Sequence, residues 1–304
     1  MPEVPLLRRN RTASAKLKNA VFTTVVILAL CAAASCKKIN VSGSLKELPL
    51  DSVKAENGQL FLYKNARCAV LKHDSATLTV QGVPIIMPDA PVCNSEGVWS
   101  LPERSVQTVL HALFVPEKPA VKRILLDPGH GGKDSGAVSN ILKLREKELN
   151  LRLASALGDE LQKMGFEVFY TRRDDRSVPL AQRGNAHEAD LFISIHHNAA
   201  KNINASGFET FCLFPENASA YPMLRQSIHL ARAIQHGQST ASGNFGRGVK
   251  FARFRVLKDA RCPALLLEAG FLSNPVEEKR LNDPRYHTAL AKALAQVIRR
   301  NVSL

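Results

Sequence analysis

Three short apolar runs, each ended by a side chain able to bind a metal, constrain this chain more than any other feature. Ile124-Leu125-Leu126 leads into Asp127-Pro128-Gly129-His130-Gly131-Gly132. Leu191-Phe192-Ile193-Ser194-Ile195 leads into His196-His197-Asn198, and Ala264-Leu265-Leu266-Leu267 into Glu268-Ala269-Gly270. Runs of this length and composition read as buried strands. Between the first two, Leu149, Leu153, Leu157 and Leu161 recur every four residues, the spacing of a helix over 146–164 that Gly165 ends. Val168-Phe169-Tyr170 and Phe208-Glu209-Thr210-Phe211 read as two more strands, and 286–299 as a last helix with Leu290, Leu294 and Val297 toward the core. Such alternation predicts an α/β fold over 121–304: a mixed, mostly parallel sheet flanked by helices. Ligands of such sheets bind beyond the carboxyl ends of the strands. His130, His196 and Glu268 are therefore expected at one edge.

The preceding stretch has a different texture. From 40 to 118 the apolar runs are short and alternating, as in Leu60-Phe61-Leu62-Tyr63 and Ala76-Thr77-Leu78-Thr79-Val80, and Glu56-Asn57-Gly58 and Gln81-Gly82 mark turns. This predicts a small β-rich domain, a short helix over 105–114, and a linker at Pro116-Glu117-Lys118-Pro119. Val80-Gln81-Gly82 and Gly97-Val98-Trp99-Ser100-Leu101-Pro102-Glu103-Arg104 are similar to the small N-terminal domain first named from copper amine oxidases. Residues 1–36 have the layout of an export leader: basic residues, the apolar run 21–30, then Ala32-Ala33-Ala34-Ser35. Cys36 follows a degenerate lipoprotein box, so the expected location is the periplasm or cell envelope, with membrane attachment through Cys36 as one option. Of six cysteines, Cys68, Cys93, Cys212 and Cys262 lie beyond the leader, and none has the paired spacing of a zinc-cysteine site. They read as core residues or disulfides.

The net charge of +14 favours an anionic partner. No zinc finger, arginine-rich helix or RNA-binding aromatic motif is present, which argues against nucleic acid. Gly129–Gly132 is not a phosphate loop, because Asp134 rather than Ser or Thr follows Lys133. A hydrolytic zinc centre needs three protein ligands and a base beside the water in the open position. Glu146, at the start of the first long helix, can complete the ligand set.

Eight blocks in order carry a family resemblance. They include Leu126-Asp127-Pro128-Gly129-His130-Gly131-Gly132-Lys133-Asp134, Glu146-Lys147-Glu148-Leu149-Asn150, Leu180-Ala181-Gln182-Arg183, Ser194-Ile195-His196-His197-Asn198, Gly207-Phe208-Glu209, Arg247-Gly248-Val249-Lys250 and Leu267-Glu268-Ala269-Gly270. From Arg123 onward the chain resembles the zinc-dependent N-acetylmuramoyl-L-alanine amidases of the AmiC type. The resemblance implies a Zn2+ cofactor held by His130, Glu146 and His196, with Glu268 as catalytic glutamate. The implied substrate is peptidoglycan, cut between N-acetylmuramic acid and L-alanine. His197 stands where the family usually has a small residue, and Ser194-Ile195 sets the register in favour of His196. Asn198 and Arg247 are expected to touch substrate. Cys212–Arg225 is too short for the inhibitory helix of some relatives, so no activator protein is expected. The rival readings are a non-catalytic peptidoglycan-binding protein and a peptidoglycan carboxypeptidase. A serine acyl-enzyme has no support, since Gly-x-Ser-x-Gly is absent and the one Ser-x-x-Lys, Ser35-Cys36-Lys37-Lys38, straddles the end of the leader.

Overall fold

Strand-forming runs alternate with helices along most of the chain. The computed structural model describes residues 48–304 apart from 116, 215, 217 and 242–245. The expected leader, with its Cys36, lies outside the described residues. The β-rich stretch supplies β1 (Ser52–Glu56), β2 (Gln59–Lys64), β3 (Arg67–Lys72), β4 (Thr77–Val80), β5 (Val83–Ile86) and a separate hairpin, β6 (Val92–Cys93) with β7 (Trp99–Ser100). A helical segment follows as α1 (Glu103–Ser105), a π-turn at Val106–Leu110 and α2 (His111–Phe114). Then come β8 (Arg123–Pro128), α3 (Glu146–Lys163), β9 (Glu167–Tyr170), α4 (Leu180–Arg183), β10 (Leu191–Asn198) and β11 (Phe208–Cys212). The chain closes with α5 (Tyr221–Ala241), β12 (Gly246–Phe251), α6 (Arg255–Lys258), β13 (Ala264–Phe271), α7 (Pro275–Asn282) and α8 (Pro284–Asn301).

Eleven strands form one sheet in the order β1-β2-β3-β4-β5-β12-β11-β13-β10-β8-β9. From β5 to β9 every neighbouring pair is parallel except β11 with β13. The mixed, mostly parallel sheet expected from the sequence is present. The β-rich stretch, expected as its own domain, joins this sheet edge to edge through Val249 and Ile85. Its buried face (Leu60, Leu62, Leu71, Leu78) belongs to the same hydrophobic cluster as Ile193, Leu265 and Leu294. The seam needs Gly248: at φ +90, a Cβ there would lie 2.1 Å from the Pro84 carbonyl oxygen.

Helices α3, α5 and α8 cover one face. In α3, Leu149, Leu153, Leu157 and Leu161 are at most 1% exposed, each worth roughly 1.5–3 kcal/mol of burial. The helix ends in a Schellman motif, with Gly165 N–H donating to Gln162 O and Phe166 N–H to Leu161 O. In α8, Leu290, Leu294 and Ile298 are buried, while Val297, expected in that role, is half-buried. The opposite face carries a smaller cluster of Leu125, Phe192, Val256, Leu257 and Leu266. Cys68, Cys93, Cys212 and Cys262 are free thiols, so no disulfide links them. No helix of the described residues is long and apolar enough to cross a membrane.

Candidate metal centre and active site

Strand alternation decides which side chains meet. Phe192 and Ser194 of β10 share the face with His196, while Ile193, Ile195 and His197 point to the helix-covered side. His197 is accordingly buried: its Nδ1 lies 2.7 Å from Asn150 Oδ1, and burial lowers its pKa to about 3. His196 instead joins His130 and Glu146, whose ligand atoms all lie within 4.8 Å of one another. Of the doublet, His196 is the histidine that lies in this cluster.

Glu146 is the first residue of α3, so its carboxylate sits at the positive end of the helix dipole. Oε1 lies 2.8 Å from His196 Nδ1, and Oε2 lies 3.1 Å from His130 Nε2 and accepts from Ala137 N–H at 2.9 Å. Burial pushes this carboxyl up, but the bonds from His130 and His196 outweigh it and hold the group well below the usual carboxylate range. Gly129 keeps the cluster tight, since a Cβ there would lie 2.2 Å from the His196 ring. Glu148 is exposed and pairs with Arg145, away from the cluster.

His130 occupies the left-handed region at φ +62, a conformation that costs a non-glycine residue about 1–3 kcal/mol. Its loop is fixed through its carbonyls. Arg183 donates to Pro128 O at 3.0 Å and to His130 O at 2.8 Å. Arg172 donates to Pro128 O at 2.9 Å and to Gly129 O at 2.8 Å. Ser177 Oγ and Lys147 Nζ donate to the carbonyls of Gly131 and Gly132. Arg183 is anchored in turn on Asp127, a carboxylate with no exposure that also accepts from Thr171 and Ser194. Asp134 Oδ2, 2.8 Å from His130 Nδ1, orients the ring so that Nε2 faces the cluster.

Glu268 of β13 pairs in register with His196 on one side and Glu209 on the other. Its Oε2 is buried and has no hydrogen-bond partner. Burial, then the charges of Glu146 and Glu209, raise its pKa well above the ordinary value. Asn198 and Arg247, expected to touch substrate, both bond to Glu209. Asn198 Nδ2 donates to Oε2 at 3.1 Å, and Arg247 Nε to Oε1 at 2.5 Å. Lys250 Nζ also reaches Oε1, at 2.6 Å. Sequence reasoning assigned no role to Glu209, Lys250, Arg172 or Arg183. The one signal for Glu209 was a carboxylate inside the apolar run Phe208–Phe211.

Comparisons with known proteins agree with this geometry. Residues 124–300 match the family model described as N-acetylmuramoyl-L-alanine amidase. The chain is 33% identical over 221 residues to the N-acetylmuramoyl-L-alanine amidase AmiC of Neisseria meningitidis, covering 59% of this chain and 52% of that protein. It thus spans about half the length of this curated relative. The crystal structure of an N-acetylmuramoyl-L-alanine amidase from Clostridium difficile 630 is 33% identical, with a TM-score of 0.54 over 60% of this chain and 96% of that one. The CwlD amidase of Clostridioides difficile, in complex with the GerS lipoprotein, is 30% identical with a TM-score of 0.53 over 59% of this chain and 98% of that one. These similarities cover the helix-flanked part of the sheet and its metal-capable cluster, and the chain belongs to the N-acetylmuramoyl-L-alanine amidase family.

Proposed function

We propose that this chain hydrolyses the amide bond between N-acetylmuramic acid and L-alanine in peptidoglycan, using a zinc ion held by His130, Glu146 and His196. The observation that carries the reading is the pairing of that cluster with Glu268. Two imidazoles and one carboxylate are the donor set of a hydrolytic zinc site. The buried, unpartnered Oε2 of Glu268 lies on the adjacent strand. A carboxylate left dry and unpaired beside another is costly, and a cation in the cluster offsets that cost. Bound there, zinc would acidify a water molecule and polarise the scissile carbonyl.

The chain's own residues do the rest. Glu268 takes the proton of the attacking water. The water oxygen bonds to the lactyl carbonyl carbon, the C–N bond breaks, and the proton passes to the amine of L-alanine. Glu146, held ionised, keeps His130 and His196 aimed inward. Asp134 fixes the His130 tautomer. Glu209, held by Arg247 and Lys250, stands opposite Glu268 on the neighbouring strand, and its charge helps to raise the Glu268 pKa.

Activity is proposed at the cell wall outside the cytoplasm, with export by the leader and attachment through Cys36 as parts of the same reading. β11 ends at Cys212 and α5 begins at Tyr221, with a short 3-10 turn at Ala218–Ala220. That spacing supports activity without an activator, whereas the CwlD–GerS complex supports a partner, and a latent purified enzyme would favour the latter. Glu268→Gln is expected to retain one zinc per chain while losing peptidoglycan hydrolysis by about 10²-fold or more, the range of general acid–base catalysis. Normal turnover with bound metal would remove Glu268 from this role.

A further inference from the structure

The register of the sheet lays a path from the metal-binding cluster to the β-rich stretch. His196, Glu268 and Glu209 stand side by side on β10, β13 and β11. Glu209 is held by Arg247 and Lys250 of β12, and β12 pairs with β5. From β5 the row continues through Pro84, Thr79, Val70 and Phe61, each opposite the next. Residues directly opposite across a ladder point to the same face. The catalytic cluster and Phe61 therefore lie on one face of one sheet.

The two faces of the β-rich stretch differ. The inner residues, such as Leu60, Leu62 and Leu78, have no exposure, and the helical segment packs on that side, where Arg67 donates to Leu113 O. Phe61, Val70, Thr79 and Pro84 on the outer face are all partly exposed. Phe61 and Tyr63, two residues apart on β2, hold their rings nearly parallel, 13° apart with centroids at 6.5 Å. Lys54, exposed, stands opposite Phe61, and exposed Lys72 stands opposite Gln59.

We propose that this outer face binds the glycan strand of peptidoglycan and presents its peptide stems to the catalytic cluster; the inference rests on the amidase reading above. The axial C–H bonds of a pyranose ring carry partial positive charge, and an aromatic face carries the negative lobe of its quadrupole. Two parallel half-exposed rings form a platform for successive sugars. Lys54 and Lys72, both exposed, complement the carboxylates of the stems. β2 stands six strands from β13, about 29 Å at ~4.8 Å per strand. That distance suits a polymer. The sheet's twist turns the face gradually without breaking it.

The test is co-sedimentation of the full chain with purified insoluble peptidoglycan under a chelator, so that binding is read without hydrolysis. Phe61→Ala with Tyr63→Ala, and Phe61→Leu with Tyr63→Leu, are compared with the unaltered protein. The leucine pair keeps apolar bulk and removes only the flat rings, so it stays informative if the alanine pair fails to fold. Both are expected to weaken binding about tenfold, the combined worth of two ring contacts. Unchanged sedimentation of the folded leucine pair would overturn the proposal, and is the result expected if residues 1–47 or a second copy of the chain occupied this face. Failure of the amidase reading shows separately, as unaltered protein that releases no L-alanine-terminated peptides when the chelator is replaced by zinc. The sedimentation comparison then still decides whether this face binds peptidoglycan.

Discussion

Arg183→Met would remove the cation paired directly with Asp127 and two of the donors that hold the His130 loop. The side chains of the pair are 4% and 0% exposed, with Nη1 2.8 Å from Oδ1. Breaking a buried pair from one side costs about 3–5 kcal/mol, because the remaining charge is stranded. The carbonyls of Pro128 and His130 also lose a donor. Against a total stability of roughly 5–15 kcal/mol for a domain, this variant is expected to be only marginally folded. Arg183→Lys is the sharper probe. It keeps a charge near Asp127 and cannot span Asp127, Pro128 O and His130 O with one planar fork. Its stability loss should fall to about 1–3 kcal/mol. Its zinc affinity should still drop about 10–100-fold, as when a ligand's outer support is removed. Urea unfolding of the chelated protein measures the first quantity, and competition against a zinc chelator the second. A lysine variant that binds zinc as tightly as the unaltered protein would refute the claim that Arg183 positions His130.

Two further outcomes follow from the same geometry. Asp134→Asn removes the carboxylate 2.8 Å from His130 Nδ1 and is expected to weaken zinc about 10–100-fold with little loss of stability, since Asp134 is exposed; unchanged zinc affinity in the same competition assay would count against that role. Glu268 has a folded pKa above its unfolded one, so its stabilising contribution is present below the unfolded pKa and lost as pH rises through the folded pKa. Glutamine does not ionise, so chelated Glu268→Gln should be more stable than the unaltered protein near about pH 8, with the gap shrinking toward about pH 4; a pH-independent difference in urea midpoints would contradict it.

Much of the catalytic part was legible because its signals are local. Buried strands at 124–126, 191–195 and 264–267 are plain apolar runs, and each feeds its polar residue to the same sheet edge. Glu146 was legible from its place at the start of a strongly periodic helix. The remainder depends on contacts between distant segments. β12 carries Arg247, Gly248 and Lys250, a sequence with no strand pattern, and becomes a strand only because β5 and β11 flank it. Arg172 and Arg183 look like surface residues until the fold wraps them around the carbonyls of 128–130. Asn198 and Arg247 were expected at the substrate, but neither sequence position reveals Glu209 waiting between them. The single core shared by the β-rich stretch and the helices has no local signature either. It arises from one edge pairing at Ile85 and Val249, closed by Gly248.

The most direct test of the central claim is digestion of purified peptidoglycan by the protein, with and without a chelator, read by mass spectrometry. The account predicts release of stem peptides beginning in L-alanine, abolished by the chelator and restored by zinc. Stems that stay attached and lose only their terminal D-alanine would contradict it and mark a carboxypeptidase. Strong binding with no release under any added metal would contradict it in favour of a wall-binding protein.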